Sequence, residues 1–320
     1  MNITSLYYFK EVVQDLNMTK TAMRLFISQQ ALSKSISQLE KECSSQLFFR
    51  KPHLRLTPAG EAMFRFAKEV LDSQRHFTEI LSDVSAETRG TIRFGASSLR
   101  SNFCLTKVLP KFSQIYPNVN IEVTDNTSAN LQNLLIEDEL DVALCSLNEN
   151  ITNLNTKLVL ADNIYFCVTD RLLQEYYPET YKELKEQAAH GASLANFAKL
   201  PFLTLATPNK LGVTMTKCFE EAGFTPKSYL NTTFTTMYPS LCSSGLAACV
   251  CTQMTLNTNT SLLSDDMNIF HLLYNGKYTY HNVYLTYPKG KYITKYLQLF
   301  MALVEECYAT VNLQDLSRLS

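Results

Sequence analysis

Residues 28–40 constrain this chain more than any other stretch, because they read as an amphipathic helix with a marked beginning. Leu32, Ile36 and Leu39 recur at i, i+4 and i+7 and form one apolar stripe. Ser28 stands where an N-cap belongs, its hydroxyl placed to accept from an amide two or three residues on. The opposite face carries Gln30, Lys34, Ser37 and Lys41, flanked by Ser33 and Gln38. Amides and hydroxyls match donor and acceptor patterns on base edges, and lysine neutralises phosphate charge, so this face suits a DNA major groove. An ordinary surface helix also has a polar face, and these residues alone do not separate the two readings.

The flanking residues supply context. Leu6, Phe9, Val13 and Leu16 predict a first helix over residues 3–15, and Asn17 is an N-cap for a short second helix over 19–25. Phe26 and Ile27 form the turn before Ser28, giving helix, short turn, helix. The stretch 44–57 then alternates apolar and polar residues around Lys51-Pro52, as a hairpin with a basic tip would, and Arg50, Lys51, His53 and Arg55 could reach phosphates or a minor groove. Residues 1–60 hold eight Lys or Arg against four acids, a net of +4, which leaves −5 for the rest of a chain whose total is −1. A small basic module joined to a larger acidic one is the charge pattern of a protein with one nucleic-acid-contacting part. Thr57-Pro58 then marks a helix start. Met63, Phe66, Val70, Phe77, Ile80 and Val84 occupy a and d positions, with Ser73 the one interruption, and the 3.5-residue spacing predicts pairing with a second helix. Docking of a lone helix on its own domain is the competing reading.

The first 60 residues resemble the LysR-type transcriptional regulators, through Tyr8-Phe9, Thr19-Lys20-Thr21-Ala22, Leu25, SQQALSKSISQLEKE, Gln46-LFFR and LTPAGE. The resemblance implies an α+β multidomain protein: an N-terminal winged helix-turn-helix, a long linker helix and a C-terminal two-lobed α/β effector domain like the periplasmic binding proteins. It implies DNA contacts at Gln29, Gln30, Ser33 and Lys34, and we add Ser28, Ser37, Arg50, His53 and Arg55 as candidates. Gln30 stands where the family often has Pro, and Lys34 where it often has Arg, so a bidentate guanine contact becomes a point-charge one. The expected domains are 1–57 (winged helix-turn-helix), 58–89 (linker and dimerisation helix) and 90–310 (effector domain), with a tail at 311–320. Within the effector domain, lobe I spans about 91–162 and 267–310, and lobe II about 163–266.

From Thr91 onward strands and helices alternate. TIRFGAS, NIEVT, DVALCSL, YFCVT, PFLTL, SYLNTTF, AACVCT, MNIFHLL and HNVYLTY read as strands. Helices are expected over 105–116, 131–138, 212–222, 237–244 and 293–310, and the alternation predicts a mostly parallel sheet. The polar stretch 175–192 reads as a surface excursion. Ligands of open α/β sheets bind beyond the carboxyl ends of strands. Those positions carry Ser97, Ser98, Asn126, Thr127, Ser128, Ala206, Thr207, Thr235 and Thr236, suited to a small anion such as a carboxylate; singly, each also suits a plain N-cap. Arg100 lies near one rim.

Composition narrows the alternatives. The N-terminus lacks a basic segment followed by an apolar core, and no stretch approaches the roughly 18 apolar residues of a membrane span, so a cytoplasmic location and no membrane partner are expected. Nine scattered cysteines fit buried thiols of a reducing compartment, and Cys249-Val-Cys251 does not match zinc or dithiol spacing. The five histidines stand in no nucleophile motif, which argues against an enzyme using a Cys nucleophile, and no cofactor is expected. A thiol-based redox regulator, with Cys218 as the cysteine to test, is the alternative to small-molecule sensing. The expected partners are therefore double-stranded DNA at a roughly palindromic promoter site, a small organic effector, and a second copy of the chain in a dimer or tetramer.

Overall fold

The computed structural model describes residues 1–84, 89–146, 152–206 and 209–309. The chain divides into two compact units, Met1–Thr88 and Arg89–Ser320.

In the first unit, Asn2 caps α1 (Ile3–Asp15), Asn17 caps α2 (Met18–Arg24) and Ser28 caps α3 (Gln29–Glu42), each side chain accepting an amide hydrogen bond. Leu6, Phe9, Val12, Ala22, Leu32, Ile36 and Leu39 close one core with Leu47 and Phe48. Arg24 clamps the first two helices by hydrogen-bonding Glu11 and Asp15, and together with Lys20 it holds the Asp15 carboxyl down at about 2. β1 (Phe48–Phe49) and β2 (Arg55–Leu56) pair antiparallel as the expected hairpin. The hairpin is tied to α3 by Glu40, which accepts from the amides of Leu47 (2.9 Å) and Phe48 (3.3 Å) and from Arg50 (2.8 Å). Thr57 caps α4 (Pro58–Val84), its hydroxyl accepting from Gly60 N. Gly60 is required by close approach: a Cβ there would meet the Leu47 carbonyl oxygen at 2.1 Å.

In the second unit, β3 (Gly90–Gly95), α5 (Ser98–Ile115), β4 (Val119–Thr124), α6 (Ser128–Ile136) and β5 (Val142–Cys145) build a parallel β/α start. β6 (Leu154–Thr169) follows as one strand of 16 residues. Next come α7 (Asp170–Tyr176), α8 (Tyr181–Ala188), β7 (Pro201–Leu205), α9 (Lys210–Ala222), β8 (Lys227–Thr232) and α10 (Tyr238–Ser243). β9 (Cys249–Thr252), α11 (Gln253–Asn257), β10 (Met267–His271), β11 (Leu273–Tyr274), β12 (Lys277–Tyr278), β13 (Tyr280–Pro288) and α12 (Lys295–Ala309) complete it. The main sheet runs β10-β6-β13-β5-β3-β4, with β9 also on β6. Its two largest cores lie one under α5 and α12 around Phe94, Phe112 and Phe300, the other around Phe166, Phe202 and Phe219, with smaller ones around Tyr165 and Tyr238 and around Leu131 and Leu135.

The second unit departs from the sequence reading in three places. The sheet is mixed, not mostly parallel: β13 runs antiparallel to both β5 and β6, and β9 and β10 run antiparallel to β6. β6 itself runs unbroken through residues 162 and 163, and its partner changes from β13 (through Asn163) to β9 (from Ile164). α5 begins at Ser98 instead of 105, because Arg100, Ser101 and Cys104 are buried on its first two turns. Finally, residues 175–192 are not a surface excursion. Ala188 and Ala192 are buried, and Tyr181 and Leu184 pack on the second core, so polar composition masked an apolar stripe.

Candidate functional site

α3 carries two faces with separate tasks. Leu32, Ile36 and Leu39 are buried in the core, while Gln29, Gln30 and Lys34 are exposed and Ser33 and Ser37 half-buried. Ser28 is exposed and its hydroxyl accepts from Ala31 N at 3.1 Å, so it is occupied as a cap. Replacing it with alanine costs about 1 kcal/mol of stability, measurable by chemical denaturation; no loss would show that the cap is idle. Arg50, His53 and Arg55 are all exposed on the hairpin. Arg50 is paired with Glu40, and the Arg55 guanidinium lies 4.7 Å over the Phe49 ring, which leaves His53 as the wing candidate without either restraint. Along α4 the expected pairing residues divide. Met63 and Val70 pack on the core of their own unit, whereas Phe66 and Phe77 are 40% and 61% exposed and Ile80 is half-buried. The Val84 side chain lies outside the described residues.

The candidate ligand residues of the second unit do not all meet. Ser98 is engaged with Asp125 through both its amide and its hydroxyl. Asn126 accepts from Thr127 N and Asn130 Nδ2, and Thr127 caps α6, so these two serve the local turn. Ser97 makes no side-chain cap bond, Ala206 N donates to Thr232 O, Thr236 is exposed, and Thr207 lies outside the described residues. Ser128, by contrast, belongs to a larger polar group, its hydroxyl accepting from Ser146 N at 2.9 Å.

That group centres on Ser146 at the end of β5. Arg100 Nη2 donates to Ser146 Oγ at 2.7 Å and Nη1 to the Leu144 carbonyl at 3.3 Å. His281 Nε2 lies 3.0 Å from the same hydroxyl. Burial and the charges of Arg100 and Lys210 push His281 down to about 3, so the ring is neutral. Since Arg100 can only donate, the Ser146 hydroxyl hydrogen is free to point at Nε2, with the ring proton on Nδ1. Lys210, first residue of α9, donates to the Ser146 carbonyl and so bridges the β3–β5 layer to the β7–β8 layer. Opposite His281 in the strand register stands Asp162, buried, which accepts from Met254 N at 3.0 Å. Thr252, Thr255 and Thr235 continue the network by hydroxyl contacts of 3.3 and 3.5 Å.

Burial pushes Asp162 up to about 7 against the pull of the Met254 amide, Thr252 and Arg100. Its folded value lies above the unfolded one of about 3.9. The folded state therefore holds the extra proton, and its contribution to stability is full below about pH 4 and is lost as the pH rises towards about 7. An Asp162→Asn variant should lack this slope, read as the wild-type minus variant difference in Tm between pH 5 and 8; parallel curves would contradict it.

Among the site residues, Ser146, Asp162, Lys210 and His281 went unassigned in the sequence reading. Asp162 and His281 were detectable as polar residues within strand-like runs, but their opposition depends on strand register. Cys218, the cysteine singled out for redox chemistry, is 2% exposed and burial pushes its thiol up to about 12, which removes the thiolate such chemistry needs. No described helix is long and apolar enough to cross a membrane.

Comparison with known proteins gives this geometry its family. Residues 3–61 match the model of the bacterial regulatory helix-turn-helix protein, lysR family, and residues 85–308 that of the LysR substrate binding domain. The HTH-type regulator YkuM of Bacillus subtilis is 30% identical over 171 residues, 53% of this chain and 58% of that one. The activator IlvY of Haemophilus influenzae is 32% identical over 183 residues, 55% of this chain and 63% of that one. The chain thus spans about half to two thirds of the length of these relatives. Among solved structures, full-length OxyR of Pseudomonas aeruginosa superposes with a TM-score of 0.64 at 17% identity over 99% of this chain and 100% of that one. CbnR complexed with its target DNA does so with 0.60 at 18% identity over 96% and 100%. At such identity these two share the fold alone. The matched families are regulators, not enzymes, and with both domain models covering it in order, the chain belongs to the LysR family of bacterial transcriptional regulators.

Proposed function

We propose that this protein is a cytoplasmic, sequence-specific DNA-binding regulator controlled by a small organic molecule held between the two lobes of its second unit. The observation that carries the first half is the division of α3, whose apolar stripe is locked in the core while Gln29, Gln30, Ser33 and Lys34 remain available to bases and phosphates. The domains divide at about 57, 89 and 310, with α4 as linker. The exposed Phe66 and Phe77 on α4, with Ile80, favour pairing with a second copy in a dimer or tetramer, which would place two reading helices on a roughly palindromic promoter site. The small molecule binds beside Ser128 and Thr235, which the polar network reaches from both lobes. It acts by its different affinity for two lobe arrangements.

The experiment is footprinting on the duplex upstream of the protein's own gene, with and without fractionated metabolites. A fraction should change the footprint of the wild type and lose its effect in Ser128→Ala, while that variant still binds DNA. A footprint that no fraction alters would remove the effector half of the reading.

A further inference from the structure

Phe26 is the most exposed large apolar residue among the described residues, at 96%, and it ends α2 with a φ of +55°, which aromatic residues rarely adopt. Phe26 N donates to Met23 O at 3.2 Å and Ile27 N to Ala22 O at 3.0 Å. That pair of bonds is the Schellman ending of a helix, whose left-handed residue is usually glycine because a Cβ there crowds the following carbonyl. Neither feature helps the first unit to fold: the ring stands outside the core, and glycine would relieve the backbone. Met23, three residues earlier, is 71% exposed, so the turn leading to the Ser28 cap carries two free apolar side chains. The charges beside them cancel, since Arg24 pairs with Glu11 and Asp15, and Lys20 with Asp15. On α3, by contrast, the exposed Lys34 has no ion-pair partner among the described residues. A phosphate is therefore drawn to Lys34 and not to this apolar tip.

We propose that Met23 and Phe26 are a docking point for a protein seated on the DNA beside this one, namely the RNA polymerase whose transcription a regulator of this family adjusts. This rests on the reading of α3 above and gives the same module a second task. The tip stands two residues before the Ser28 cap and is continuous with the exposed Gln29 and Gln30, so a protein that meets it stands on the same duplex. An uncharged aromatic side chain suits an apolar pocket on that partner, where such residues act as anchors. The hydrogen-bonded turn fixes the backbone that carries the ring, which lowers the ordering cost of docking.

The test is a gel shift of purified RNA polymerase on the duplex upstream of the protein's own gene, with and without a saturating amount of the full chain. The wild type should tighten polymerase binding at least about tenfold, the size of effect that one aromatic anchor supplies. Phe26→Gly should lose that gain, Met23→Ala should lose part of it, and Phe26→Tyr should keep most of it. Without polymerase, Phe26→Gly should bind the duplex within about twofold of the wild type, since no base or phosphate contact leaves with the ring. Its Tm should be no lower, because glycine suits the left-handed turn. The inference is overturned if the wild type and Phe26→Gly aid the polymerase equally, or if neither aids it. A Phe26→Gly variant that binds the duplex alone more than about tenfold weaker would make the ring a DNA contact instead. Cooperative binding of the chain alone that this variant abolishes would assign the tip to a second copy, and a lower Tm would give the ring a structural role; either overturns the proposal. A wild type that does not bind the duplex at all would be a failure of the α3 reading, and would take this inference with it.

Discussion

A Lys34→Ala variant should bind its operator at least about tenfold more weakly than the wild type and show a salt dependence shallower by about one unit per subunit. Lys34 is exposed and makes no contact that the fold needs, so thermal stability should not change with it. If the chain pairs through α4, each substitution is counted twice on the DNA, and the loss compounds. Ser33→Ala and Gln29→Ala separate the remaining roles. A bidentate amide contact to adenine is worth about 1–3 kcal/mol of discrimination, so Gln29→Ala should flatten base preference more than it lowers affinity for random duplex. Gel shifts across a salt series measure both. Unchanged affinity in Lys34→Ala and Ser33→Ala together would sink the assignment of α3 as the reading helix.

Replacing Phe300 by alanine should cost the second unit about 3–5 kcal/mol, a large part of the 5–15 kcal/mol of a typical domain. Phe300 is fully buried where α12 meets the sheet and α5, with ring centroids 5.4 Å from Phe94 and 5.7 Å from Phe112 in edge-on geometry. Urea unfolding followed by near-ultraviolet circular dichroism should show the second unit melting early and the first unit unchanged. A loss under about 1 kcal/mol would mean that α12 does not hold this core.

The two units differed in how far sequence alone described them. In the first, the signals are local: two N-caps, an i, i+4, i+7 stripe and a Thr-Pro helix start act within a few residues of where they stand, and each element formed close to its expected bounds. In the second, strand identity was legible but pairing was not. A buried run such as DVALCSL reads alike in a parallel or an antiparallel neighbourhood, which is why the mixed sheet replaced the parallel one. The same holds for 175–192, where Leu184 and Ala188 are too few to mark an apolar face until the second core is seen beneath them.

The sequence by itself pointed to the family and to the amphipathic α3, with a buried apolar stripe and an exposed polar face, because these depend on spacing along one element. Only the tertiary structure decided which polar residues share a site. Arg100, Ser146, Lys210 and His281 are spread over 182 positions, and they meet through contacts that all end on Ser146, just past β5. Of the nine cleft residues expected from strand ends, Ser128 touches Ser146 directly and Thr235 joins the network through Thr255, while Ser98 is taken up by Asp125 and Asn126 and Thr127 by their local turn. A strand end marks where a ligand can go. Which charges stay unpaired there depends on every element packed around it.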